Sequence, residues 1–310
     1  MSDAMKTLAM FPGQGSQYVG MAKMLLEEFP YTKVIYEEAE EAAKAPIKKL
    51  CLDGPEGDLK LTANTQPCIV TTSIATWKVM VQEKGFKADM FAGHSLGEYS
   101  ALVAADRLKF AKAISLVRAR GMAMQKAVPE GQGAMTAVLS LEAARLEDFC
   151  KKASKPGETV EVVNYNSPQQ LVVAGAAPAV KRLEEALTAE SVKFVSLAVS
   201  APFHSSMMKP AREDMTPLLK ATEFANNDTR IIPNFSAEIT SAYGADFLIQ
   251  QIDSPVKWTQ TIEKANMAGM TQYVEVGPGK VLWGLARKIL PKGDFKLAHT
   301  DNVKDWIGAV

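Results

Sequence analysis

Residues 92–101 read Ala-Gly-His-Ser-Leu-Gly-Glu-Tyr-Ser-Ala, and Gly93, Ser95 and Gly97 fit the G-x-S-x-G nucleophile elbow. Such an elbow turns sharply from a strand into a helix. It lifts a serine hydroxyl clear of the backbone, and its glycines admit close main-chain approach. The flanks agree: residues 90–92 (MFA) suit the end of a buried strand, and 98–105 (EYSALVAA) begin like a helix. Backbone N–H groups at that helix start can hold a developing oxyanion. The pattern alone arises by chance in chains of this Gly and Ser content, so the strand before it and the helix after it carry the reading. Together they predict an α/β fold with Ser95 as a nucleophile.

Working outward, residues 5–11 form a short apolar strand that runs into Pro12-Gly13-Gln14-Gly15-Ser16-Gln17, with a helix expected over 19–28. The glycine-rich turn has no Gly-Lys-Ser/Thr and no full dinucleotide fingerprint, so it is not a nucleotide loop of either kind. Residues 65–82 are apolar at helical spacing. Residues 109–128 form an amphipathic helix, with Phe110, Ile114, Val117, Gly121, Met124 and Val128 on one stripe. After Pro129-Glu130-Gly131-Gln132-Gly133 the rhythm changes. Strands are expected at 134–139, 160–164, 171–174 and 193–199, with helices at 142–153 and 178–189. That β-α-β-β-α-β order is the split pattern of a ferredoxin-like unit. The chain is therefore read as a large domain in two parts, 1–128 and 199–310, with a small inserted subdomain at 129–198. Later strands of the large part are expected at 231–234 and 273–276, the second leading into Gly277-Pro278-Gly279.

The chain has 310 residues, 35 Lys+Arg and 35 Asp+Glu, so zero net charge argues against non-specific nucleic-acid binding. No apolar run approaches a membrane span, and the N-terminus lacks a signal peptide's long apolar stretch. Cys51, Cys68 and Cys150 are few and widely spaced, without metal-ligand spacing. They are read as small buried hydrophobes in a reducing, cytoplasmic compartment. Cys68, following Gln66-Pro67, falls near the expected site.

A serine nucleophile needs a base, and histidine serves near neutral pH. Of the three histidines, His94 adjoins Ser95 and should point away from its hydroxyl. His204 and His299 are nearly level on residues alone; His299 would follow the hydrolase order of serine, acid, histidine. Arg118 and Arg120 both lie at the edge of the apolar stripe, and helical angle hardly separates them. An inward arginine there could grip a carboxylate bidentately.

Residues 11–17 (FPGQGSQ), 64–67 (NTQP), 93–100 (GHSLGEYS), 120–121 (RG), 129–135 (PEGQGAM), 164–168 (NYNSP), 200–204 (SAPFH) and 276–281 (VGPGKV) resemble the malonyl-CoA:acyl carrier protein transacylases in order and spacing. The resemblance implies an α/β-hydrolase-like core with a mostly parallel sheet and an inserted ferredoxin-like subdomain. It implies Ser95 as the acyl-accepting nucleophile, His204 as its base and Arg120 as the holder of the malonyl carboxylate. The N–H groups of Gln14 and Leu96 correspond to an oxyanion hole, and Gln66 to a pocket-lining residue. Gln251 corresponds to a residue whose backbone carbonyl orients the histidine, so Asp253 is not needed as a third member. Phe203, before His204, corresponds to a bulky residue that accompanies malonyl rather than methylmalonyl use. Malonyl-CoA and acyl carrier protein are the implied partners of a monomeric enzyme of fatty-acid biosynthesis, with no metal or resident cofactor. Family carrier proteins are acidic, so Lys209, Arg212, Lys280, Arg287 and Lys288 are candidates for a basic docking face. One departure stands at 104–107 (AADR), where many members of the family carry a glycine. A serine esterase or thioesterase, and an inactive carrier-binding module, are the rival readings. The cation of Arg120 argues against the first, and the intact Ser95, His204 and Arg120 against the second.

Overall fold

The computed structural model describes residues 5–198, 201–293 and 295–309. Its strands, in chain order, are β1 (Thr7–Phe11), β2 (Met90–Gly93), β3 (Gly133–Leu139), β4 (Val160–Ser167), β5 (Gln170–Ala176), β6 (Phe194–Ser196), β7 (Arg230–Ile231), β8 (Gln272–Glu275) and β9 (Lys296–His299). One sheet has the order β7-β2-β1-β8-β9, with every pairing parallel. All residues of β1 and β2 are buried, as central strands covered on both faces must be. Alternation sorts their side chains: Ala9, Phe11 and Phe91 enter the core on one face, Leu8, Met10, Met90 and Ala92 that on the other.

The second sheet is antiparallel, in the order β4-β5-β3-β6. This is the ferredoxin-like arrangement that the order of elements between 133 and 196 predicts. The helices Ala143–Ala153 and Ala177–Ala189 pack on one face through Leu146, Cys150, Val180 and Leu183. Met135, Ala137 and Val172 on the other face turn toward the cavity described below. β4 is tied to the segment that precedes the helix Trp258–Met267: the Tyr165 N–H donates to the Val256 carbonyl at 2.9 Å and the Val256 N–H to the Val163 carbonyl at 2.8 Å.

The helices Thr62–Lys84 and Phe110–Lys126 cross at Gly121. A Cβ there would lie 2.7 Å from Ala63 Cα and 2.8 Å from the Thr62 carbonyl oxygen, so glycine sets the approach. That approach brings Arg120 against Gln66. No described helix is long and apolar enough to cross a membrane.

Several boundaries differ from the sequence expectation for local reasons. The helix expected over 19–28 begins only at Lys23, because Gly20 sits at φ 98 and its N–H donates to the Cys51 carbonyl. The strand expected over 231–234 ends at Ile231. Ile232 makes the last bond to β2, and Pro233 has no N–H to extend the ladder. The strand expected over 193–199 spans Phe194–Ser196; Val199, and Ser200 of the SAPFH block, lie outside the described residues. His299 ends strand β9 opposite Glu275. Asp106, in the segment that departs from the family, adopts φ 54, a conformation for which glycine is the default.

Candidate active site

The elbow stands at the carboxyl end of β2, where open α/β sheets place their ligands. Its two glycines are required by contact. A Cβ on Gly93 would lie 2.0 Å from the Gly97 carbonyl carbon, and one on Gly97 would lie 2.1 Å from the Phe11 carbonyl oxygen. The helix Gly97–Ala104 therefore starts directly over β1, and Ser95 is left at φ 52. Asn234 locks this turn. Its Oδ1 accepts from the Ser95 N–H at 2.6 Å and its Nδ2 donates to the Gly93 carbonyl at 2.6 Å.

His204 Nε2 lies 2.7 Å from Ser95 Oγ, and His204 Nδ1 lies 3.0 Å from the backbone carbonyl oxygen of Gln251. A carbonyl only accepts, so Nδ1 carries the proton and the Nε2 lone pair faces the hydroxyl. Burial, and then the positive charge of Arg120, push the His204 pKa down to about 3. The imidazole is neutral at physiological pH and free to take a proton.

Arg120 is 1 % exposed. Its guanidinium donates to Gln66 Oε1 at 3.0 Å, to Gln251 Oε1 at 3.0 Å and to Ser95 Oγ at 3.1 Å. Among the described residues no carboxylate oxygen lies within ion-pair distance of it, and its Nε has no hydrogen-bond partner. Burial lowers its pKa, yet an arginine remains charged. Arg118, which the sequence could not separate from it, turns the other way and donates to Asn64 Oδ1.

These groups open into a cavity of about 500 Å³. Gln14, Gln66, Ser95, Leu96, Arg120, Phe203 and His204 all line it, and Gln251 lies beneath. The turn at Gly13 holds Ser16 through both its N–H and its hydroxyl, leaving the loop at Gln14 against the cavity. Neither the Gln14 nor the Leu96 N–H is taken by another acceptor among the described residues. Chemically, the arrangement offers a hydroxyl beside a neutral base, two unclaimed N–H donors and a buried cation.

Other expectations find their places. His94 turns from the Ser95 hydroxyl and meets Asn166 Oδ1 at 2.8 Å. His299 does not line this cavity; it packs against Trp283. Asp253 is paired with Arg212 at 3.1 Å. Cys51, Cys68 and Cys150 are buried and free. Cys68 lies against Cys51 rather than in the cavity, and that contact with burial holds its thiol well above the usual range. Lys209, Lys280, Arg287 and Lys288 are exposed, whereas Arg212 already has its carboxylate.

Sequence reasoning missed Asn234, Glu98 and Tyr243. Glu98 is completely buried. It accepts from Gln251 Nε2 at 2.7 Å, from the Asn234 N–H at 3.1 Å and from the Tyr243 hydroxyl. The available signal was a lone acid inside the apolar run at 98–105.

Comparison with known proteins agrees with this geometry. Residues 10–296 match the acyl transferase domain family. The chain is 42 % identical over 287 residues to the malonyl CoA-acyl carrier protein transacylase of Bacillus subtilis, covering 92 % of this chain and 90 % of that protein. It is 40 % identical over 283 residues to that of Escherichia coli strain K12, covering 90 % and 91 %. The crystal structure of FabD from Acinetobacter baumannii superposes with a TM-score of 0.93 at 39 % identity, covering 99 % and 98 %. A malonyl-transacylase solved in complex with a type II PKS acyl-carrier protein superposes at 0.92 with 38 % identity, covering 98 % of each chain. The chain belongs to the acyl transferase domain family, among the malonyl CoA-acyl carrier protein transacylases.

Proposed function

We propose that this enzyme transfers the malonyl group of malonyl-CoA to the phosphopantetheine thiol of acyl carrier protein, through a malonyl-Ser95 intermediate, in fatty-acid biosynthesis. One observation carries the choice of acyl group. Arg120 is a buried cation that touches the Ser95 hydroxyl and has no carboxylate partner among the described residues. Burying an unpaired charge is costly, so a substrate whose acyl chain ends in a carboxylate is the fitting complement. The relative solved with a carrier protein supports the acceptor.

In the forward half-reaction, His204 Nε2 takes the Ser95 proton as Oγ attacks the thioester carbonyl. The tetrahedral oxyanion is held by the N–H groups of Gln14 and Leu96. The C–S bond breaks and the proton on His204 passes to the departing CoA sulfur. Carrier-protein thiol then gives its proton to His204, attacks malonyl-Ser95, and the steps reverse. Gln66 and Gln251 hold Arg120 on the acyl carboxylate, and Phe203 bounds the space at the α-carbon. The free, buried cysteines support a cytoplasmic setting, and we read the enzyme as a monomer.

The test is intact-protein mass after mixing with malonyl-CoA. A malonyl adduct should form, persist in water and vanish when holo carrier protein is added. Ser95→Ala should form none. An adduct on the Ala variant at normal rate would place the nucleophile elsewhere, and rapid loss to water alone would make the enzyme a thioesterase.

A further inference from the structure

On the side of β2 that faces β7, the backbone ladder stops short of the elbow. Arg230 and Ile231 pair with Met90 and Phe91, and the Ile232 N–H makes one more bond, to the Phe91 carbonyl at 3.0 Å. Bonds between parallel strands recur at every second residue. The next pair would run from the N–H of residue 234 to the Gly93 carbonyl, and from the Ser95 N–H to the carbonyl of residue 234. The backbone of Asn234 makes neither bond. Past Pro233 the chain turns, and the Asn234 N–H donates to Glu98 Oε2 at 3.1 Å while its carbonyl accepts from the Lys257 N–H at 3.0 Å. The side-chain amide makes both ladder bonds instead: Nδ2 donates to the Gly93 carbonyl at 2.6 Å and Oδ1 accepts from the Ser95 N–H at 2.6 Å. On the opposite flank the His94 N–H donates to the Phe11 carbonyl of β1 at 3.0 Å. The sheet therefore carries the elbow from both sides, on one of them through a side chain standing in for a peptide group.

The partners fix the direction of that amide. The Gly93 carbonyl only accepts and the Ser95 N–H only donates, so rotation of the amide by half a turn would break both bonds. Asn234 is buried, and lost bonds there are not replaced by solvent. Two consequences follow. Ser95 is held at φ 52, where its hydroxyl meets His204. Its own N–H is also consumed. In some serine enzymes that N–H joins the oxyanion hole; here the donors left for the oxyanion are those of Gln14 and Leu96. We propose that Asn234 is a positioning residue whose side-chain amide extends the β2 ladder to Ser95, setting the attack geometry and reserving the oxyanion for Gln14 and Leu96. This rests on the acyl-transfer reading above.

The role separates rate from binding. Arg120 is held by the Gln66 and Gln251 side chains, and neither hydrogen-bonds to Asn234 among the described residues. Loosening the clamp should leave the grip on the acyl carboxylate in place and spoil the approach of Ser95 Oγ to the thioester carbon. Both half-reactions pass through the same oxyanion, so both should slow together.

The experiment is single-turnover acylation of the full-length protein over a range of malonyl-CoA concentrations, with urea unfolding of each variant. Asn234→Ala should lower the saturating rate constant at least about a hundredfold and leave the half-saturating concentration within about threefold. Return of the malonyl group to holo carrier protein should slow by a similar factor. Asn234→Asp keeps the shape and the acceptor for the Ser95 N–H, but sets a carboxylate oxygen against the Gly93 carbonyl. It should lose at least about tenfold in rate, again without a change in half-saturation. A merely structural residue would lower the unfolding midpoint and leave the folded variant acylating at the wild-type rate. That result in either variant overturns the proposal, as does a loss confined to half-saturation. Amide hydrogen exchange on wild type carries the test if neither variant folds. The Ser95 N–H should exchange at least about a thousandfold more slowly than in an unstructured peptide, and unprotected exchange there would overturn the clamp. No adduct on wild type would instead overturn the acyl-transfer reading.

Discussion

Ser95 and His204, 109 positions apart in the chain, meet at 2.7 Å from backbones that are both left-handed, φ 52 and φ 62. Neither residue is glycine, so the surrounding structure over-determines both conformations. On the proposed roles, His204→Ala should reduce acylation of Ser95 by at least about a thousandfold, while His299→Ala stays close to wild type. Stopped-flow release of CoA thiol measures both; equal losses in the two variants would contradict the pairing.

Arg120→Ala should remove malonyl transfer by about 3–5 kcal/mol in kcat/KM, since the substrate carboxylate is left without its partner. Transfer of acetyl should fall much less. The comparison is kcat/KM for malonyl- and acetyl-CoA on both proteins. Ratios unchanged from wild type would mean that another cation reads the carboxylate.

Phe203 lines the cavity next to His204 and is only partly buried. Phe203→Ser should relax discrimination against an α-methyl group by about 1–3 kcal/mol, the range for one methyl-sized difference. Competition between malonyl- and methylmalonyl-CoA for the enzyme reads this directly.

Much of this was legible in the chain. The elbow and the β-α-β-β-α-β run are local patterns, and local patterns survive in sequence. Arg118 and Arg120 could not be separated, because what decides between them is Gly121 meeting Ala63 on another helix. His204 exceeds His299 because the fold brings it to Ser95, 109 positions away, and to a carbonyl 47 positions away. Asn234 was hidden at the end of an expected strand, and Glu98 in a helix, because their partners lie 139 and 153 positions distant. Such relations exist only once the sheet has closed.

Gly121→Ala should test that helix crossing. The added methyl meets backbone of Thr62 and Ala63, so the helices must part. We expect a loss of about 1–3 kcal/mol in stability, read by urea denaturation, with KM for malonyl-CoA raised as Arg120 withdraws. Wild-type stability together with wild-type KM would show that the contact is easily relieved.

Charge reversal at Lys209, Lys280, Arg287 and Lys288 should raise KM for acidic carrier protein and leave acylation by malonyl-CoA unchanged. The effect should be largest at low salt, where steering is least screened. An unchanged KM under those conditions would remove this face from the docking surface. Arg212 should contribute less, because Asp253 already compensates it.

The partner of His204 Nδ1 is a peptide oxygen, and this bears on which leaving groups the enzyme can expel. A carboxylate in that place would stabilise the imidazolium; an uncharged carbonyl does so far less. The protonated ring is therefore fleeting, with Arg120 adding repulsion. A thiol, with its pKa about 8.5, departs as an anion needing little proton assistance, while an alcohol or amine needs a great deal. The one oxygen leaving group that the proposed cycle must expel is Ser95 Oγ, and it lies 2.7 Å from the His204 Nε2 that returns its proton. Amides of the same acid, whose amine leaves far less readily, should be turned over much more slowly than its thioesters.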